Sequence, residues 1–178
     1  LKKLKTSRIV ITAFVILLIA GSAMQTVRWL RGGSASEGDA RTLLYQVSEF
    51  HIELLDSLLH EAGNAKTSGD LEPLKQAMYT ATYTHERFAA AFGTDRVSSL
   101  ESLNELMQFM LRLQLGGSRP LKEGETKALQ EASTIFDGIA ESYGKLLSSG
   151  GDVLSSQNDK IAEADGKMTK MLKKQLQK

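Results

Sequence analysis

Nineteen consecutive residues, Ile9–Val27, carry no charge, and no other feature restricts what this chain can fold into as strongly. As a helix the run is roughly 28 Å long, close to the ~30 Å hydrocarbon core of a bilayer. Lys2, Lys3, Lys5 and Arg8 precede it, and Arg28-Trp29-Leu30-Arg31 follows. A basic flank on the short N-terminal side keeps that side in the cytoplasm, and the Trp29 ring suits the membrane interface. Residues 1–8 therefore read as a basic cytoplasmic N-terminus and residues 9–30 as a transmembrane anchor. The chain is then a single-pass protein of the cell membrane with its remainder outside. A cleaved signal peptide is the alternative, with Ile9–Ala20 as its apolar stretch and Gly21-Ser22-Ala23 near the cleavage site; the product would be secreted. The apolar run continues past that site to Val27, which favours the anchor.

Residues 31–38, Arg31-Gly32-Gly33-Ser34-Ala35-Ser36-Glu37-Gly38, form a flexible linker of mostly small residues. Beyond it the apolar residues recur every three or four positions, without the alternation of β-branched residues that a strand needs. The pattern predicts an all-α chain: the anchor, an exported antiparallel four-helix bundle over residues 39–150, and a basic amphipathic helix over 151–178. The first helix runs from an Asp39 N-cap to Ala62, before Gly63-Asn64, with a wide apolar face that includes Leu43, Leu44, Val47, Phe50, Leu54, Leu55, Leu58 and Leu59. The second has Pro73 in its first turn and a seam of Leu71, Leu74, Met78, Ala81, His85, Phe88 and Phe92. The third starts at a Ser98/Glu101 capping box and ends at Leu115. The fourth opens at Ser118-Arg119-Pro120, carries Leu129, Ala132, Phe136, Ile139, Tyr143 and Leu146, and ends before Ser148.

Charge is sorted along the chain. Residues 1–31 hold six bases and no acid, residues 37–165 hold 21 acids and 11 bases, and the tail from Lys167 holds five lysines and no acid. An acidic middle disfavours nucleic acid as a partner, because phosphate contacts need a basic face. The chain has no cysteine, which removes disulfides, thiolate metal sites and thiol nucleophiles.

No nucleophile elbow, phosphate-binding loop or dinucleotide glycine fingerprint is present, so no catalytic residue and no cofactor is expected. Asp56 and His60 stand four apart on the first helix, with Glu49 and Glu53 near them. A di-metal bundle would need a Glu-x-x-His on each of two helices, and His85-Glu86 lacks the second histidine of a zinc protease helix. A salt-bridged stripe is expected there rather than a metal. His51 and His85 both sit among seam residues, and an antiparallel hairpin would bring them near one another as a pH-responsive pair. The favoured alternative is two ordinary boundary histidines, each with a local hydrogen bond, since pattern alone does not fix depth. In the last helix, Lys167, Lys170, Lys173 and Lys174 accompany Met168 and Met171 along a narrow stripe that would lie on anionic lipid or on the acidic bundle; a frayed, solvated terminus is the equal alternative.

One anchor followed by an exported helical bundle resembles the sensor domains of chemoreceptors and sensor kinases in architecture. Pro120-Leu121, Glu125, Lys127 and Leu129-Gln130-Glu131, with the single N-terminal anchor and the region Leu74–His85, resemble the N-terminal helical region of a family of spore-germination membrane proteins. That likeness covers most of residues 1–147. The family stabilises a cortex-lytic hydrolase in endospores, and its C-terminal domains have no counterpart within these 178 residues. The resemblance transfers no functional residue. Two functions are expected. The first is a non-enzymatic interaction or assembly module for another protein of the envelope, with weak homodimerisation. The alternative is a sensory bundle that binds a small ligand between helices. An exposed apolar patch would mark the first, and a polar-lined cavity the second.

Overall fold

The structure, a computed structural model, describes residue 38 and residues 40–177. The basic N-terminus, the anchor over 9–30, most of the linker and the Asp39 cap lie outside the described residues. Among these residues every regular element is helical: α1 (residues 40–62), α2 (Glu72–Phe92), α3 (Glu101–Gln114), α4 (Glu123–Tyr143) and α5 (Ser155–Leu176), with a 3₁₀ turn at Ser68–Leu71. No described helix is long and apolar enough to cross a membrane.

Local chemistry accounts for several of the helix ends. Pro73 in the first turn of α2 gives up an N–H that has no helical partner there. Gly93 ends the same helix at φ 108°, a conformation an L side chain rarely adopts. α4 starts later than its sequence suggests, at Glu123, because Glu125 accepts a hydrogen bond from the Lys122 backbone N–H (2.8 Å). The same carboxylate is gripped through both oxygens by Arg119, at 2.8 Å each. The Ser98/Glu101 capping box does not form. Leu100 occupies the N-cap of α3 with no side-chain cap of its own, and α5 caps it from outside. Ser102 N–H donates to Asp165 Oδ1 (2.9 Å), and Ser98 N–H donates to Asn158 Oδ1 (2.8 Å).

Cross-contacts set the helix directions. α1 and α4 run antiparallel: Tyr45 and Ser48 meet Tyr143, while Gln130 Nε2 donates to the Gly63 carbonyl (2.9 Å). The fit at Gly63 is close: an added Cβ would stand 3.1 Å from the Gln130 side chain and 3.3 Å from the His60 carbonyl, so these neighbours would have to give by a few tenths of an ångström. Lys75 of α2 reaches Gln114 of α3. The α1–α2 and α3–α4 connections pair through Ser68 N–H to Arg119 O (2.8 Å) and Leu121 N–H to Lys66 O (2.9 Å). α5 lies parallel to α3 and antiparallel to α4. Its Ile161, Met168 and Leu172 join the same buried cluster as the other four helices. The chain from Arg41 onward is one compact unit, so the boundary drawn at residue 150 separates no two packed bodies.

The expected seams of α2 and α4 are buried at every position: Leu71, Leu74, Met78, Ala81, His85, Phe88 and Phe92, then Leu129, Ala132, Phe136, Ile139, Tyr143 and Leu146. α1 differs. It turns Tyr45, Ser48, Ile52, Leu55, Leu59 and Ala62 inward, and leaves part of its expected apolar face outside.

Candidate functional site

Three arrangements place chemistry-bearing side chains together. The first is internal. His85, 4% exposed, holds Ser98 O with Nε2 (2.9 Å) and Tyr143 Oη with Nδ1 (3.1 Å). A carbonyl can only accept, so Nε2 carries the proton and Nδ1 accepts from the Tyr143 hydroxyl. That hydroxyl in turn pairs with Ser48 Oγ (2.7 Å), and Tyr45 Oη donates to the Tyr143 carbonyl (2.7 Å). The chain of bonds ties α1, α2, α4 and the α2–α3 loop together. Burial favours the neutral ring, pushing the His85 pKa down to about 4 against a partly opposing bond to Ser98. Burial likewise pushes the Tyr45 phenol up to about 12, with the Glu49 charge adding to it.

His51 does not belong to this network. It is half-buried, bonds the Val47 carbonyl (2.9 Å) and meets the Phe50 ring edge-on. The two histidines proposed as a pair make no hydrogen bond to one another; the partner of His85 is Tyr143.

The second arrangement is on the surface of α1. Leu43 and Phe50 are each 60% exposed, Val47 39% and Leu54 38%. Steps of four, three and four residues place them on one stripe, the spacing of a coiled-coil seam. Gln46, Glu49 and Glu53 follow one border of it. Glu49 is held above the usual carboxylate range by burial and then by the neighbouring Glu53 charge. Residues 40–62 contain four acids and one base.

The third arrangement joins α1 to α4. Asp56, His60 and Asp137 each offer a ligand atom, and these atoms lie within 4.8 Å of one another. His60 Nδ1 bonds the Asp56 carbonyl (3.1 Å), while Nε2 faces Asp137 Oδ1 at 3.4 Å. Asp56 Oδ1 is buried without a hydrogen-bond partner. The carboxyl of Asp56 is pushed up by burial first and by the Asp137 charge next, and His60 is pushed up chiefly by its backbone bond. Asp56 and His60 are visible as an i, i+4 pair in the sequence. Asp137 is not, because it is one of five acids on α4 and no histidine on that helix marks it out.

In the lysine-rich helix, Met168 is buried and Met171 half-buried, while Lys167, Lys170, Lys173 and Lys174 are exposed. Lys167 pairs with Glu163 (2.7 Å) and Lys173 with Glu105 of α3 (3.6 Å). Arg112 of α3 donates to the Leu176 carbonyl (2.6 Å) and so caps the far end of α5. No protein-family model, curated protein or solved structure matches this chain.

Proposed function

We propose that this chain is a non-enzymatic interaction module, anchored by residues 9–30 and working outside the membrane, which presents α1 to another protein of the envelope. The observation that carries the reading is the Leu43–Val47–Phe50–Leu54 stripe: large apolar side chains left in solvent at helix-pairing spacing. Its spacing fits a partner helix with an apolar seam of the same period, and its acidic border calls for basic residues beside that seam. The resemblance to spore-germination membrane proteins agrees with a partner in the envelope. A second reading, the ligand-binding sensor, has one feature in its favour. A cleft of about 300 Å³ beside His85 is lined in part by Thr82, Glu86, Ser99, Glu101 and Asn104.

A photo-crosslinking residue at Phe50, with a control at the exposed Gln108 of α3, tests the first reading in intact cells. An adduct with one envelope protein at Phe50, absent at Gln108, is the expected result. An adduct of twice the chain mass would make the partner a second copy. No adduct at Phe50 would overturn the module reading and leave the cleft as the site to pursue.

A further inference from the structure

We propose that Asp56, His60 and Asp137 form a binding site for a first-row divalent metal ion, with Zn²⁺ the best fit, that staples α1 to α4. The site stands apart from the α1 stripe and does not depend on the interaction reading.

The histidine is already set as a ligand. Its Nδ1 faces the Asp56 carbonyl at 3.1 Å, which can only accept, so the proton resides on Nδ1. The Nε2 lone pair is then free and fixed in direction, as in metal sites where the second ring nitrogen bonds a carbonyl. The distance from Nε2 to Asp137 Oδ1, 3.4 Å, is long for a hydrogen bond between these atoms. It matches two ligands on one tetrahedral ion: with metal–ligand bonds of about 2.0 Å, neighbouring ligand atoms stand about 3.3 Å apart. Asp56 supplies the third ligand, and all three atoms fall within 4.8 Å.

A separate observation concerns the Asp56 carboxylate. Its Oδ1 is shielded from water and receives no N–H or hydroxyl donor. The polar groups that meet this carboxyl are the Asp137 carboxyl and the His60 ring, and a buried carboxylate oxygen so placed is costly. The Asp137 carboxyl is turned toward the same place, and two carboxylates so close repel one another. A divalent cation between them removes that conflict. One imidazole and two carboxylates suit Zn²⁺ and its first-row neighbours; Ca²⁺ prefers six to eight oxygens, and Mg²⁺ an octahedral set of oxygens. Three protein ligands leave a fourth position for water. The i, i+4 pair comes from one helix and the third ligand from another, so binding links the two elements.

The test uses the tag-free full-length chain in detergent micelles, titrated with Zn²⁺ by calorimetry at pH 7.5 and with Co²⁺ by visible absorption. One saturable Zn²⁺ site, a raised melting temperature in its presence, and a four-coordinate Co²⁺ spectrum are expected. His60→Ala and Asp137→Asn should each weaken Zn²⁺ binding by about tenfold or more. Both side chains are about half exposed, so both variants should keep the parent's helicity by circular dichroism. His51→Ala, remote from the set, should bind as the parent does. Binding should also fall on acidification as His60 takes up a proton. No saturable binding, or binding that survives both His60→Ala and Asp137→Asn, would overturn the proposal.

Discussion

Helices α1 and α5 spend their apolar residues in opposite ways. α1 leaves Leu43 and Phe50 60% exposed while burying Ile52, Leu55 and Leu59 completely. α5 carries five lysines, yet Ile161, Met168 and Leu172 are fully or almost fully buried, and its polar Asn158 and Asp165 cap backbone groups near the start of α3. Burial here follows the position of a helix rather than its mean hydropathy. α5 lies between α3 and α4, so a narrow stripe is enough to complete the core. α1 has a second face with nothing in the described bundle to cover it. Surplus apolar surface on an otherwise satisfied helix is the mark of an interface.

The largest effect that tests this contrast comes from deleting residues 156–178. Three buried apolar side chains, each worth roughly 1.5–3 kcal/mol, would be lost, together with the caps of α3. The expected loss, roughly 5–9 kcal/mol, rivals the whole stability of an ordinary domain. Thermal and urea melts of the shortened chain should show little cooperative unfolding. A melt like the parent's would mean that α5 is an ornament on the bundle and that the contrast with α1 is empty.

A mid-sized effect should appear at His85, where a polar side chain has been taken into the core instead of an apolar one. Its folded pKa of about 4 lies below the ordinary value of 6.5. Between those values the unfolded chain binds a proton at this residue that the folded chain refuses, so stability falls as pH falls. By about pH 4 the loss is on the order of 3 kcal/mol. Asp56 and Asp165 have raised pKa values and push the other way. The measurement is therefore the difference between parent and His85→Gln in urea melts from pH 7.5 to 4. Gln can donate to the Ser98 carbonyl and accept from the Tyr143 hydroxyl, yet it does not titrate. The parent should lose stability relative to the variant across that window; a constant difference would show that His85 is protonated within the folded chain.

How much of this was legible beforehand varied with the kind of information each feature needs. The seams of α2 and α4 were readable residue by residue, since each of those helices has one apolar face and the core took it. α1 has two, and periodicity does not say which one a fold will use. The Ser98/Glu101 cap failed for a related reason: a local motif competes with donors and acceptors supplied by distant helices, and Asn158 and Asp165 took the backbone groups instead. His85 was readable as a seam histidine, but its partner is the hydroxyl of Tyr143 on another helix. Asp137 illustrates the limit most clearly. Its significance lies entirely in a contact across α1 and α4 that no spacing within α4 encodes.

The smallest effect on stability is expected at the most exposed part of α1, and it sharpens the contrast most. Phe50→Asp removes a ring that the fold leaves 60% in water, so little burial is lost. It places a carboxylate three residues before Glu53, a like-charge pair worth about 0.2–0.5 kcal/mol on a helix. Thermal melts should therefore shift by no more than a surface substitution does, about 0.5 kcal/mol, while capture of the proposed envelope partner by a crosslinker at Val47 should disappear. A large loss of stability would instead mean that the Phe50 face is covered within the chain itself, and the surplus on α1 would then belong to folding rather than to recognition.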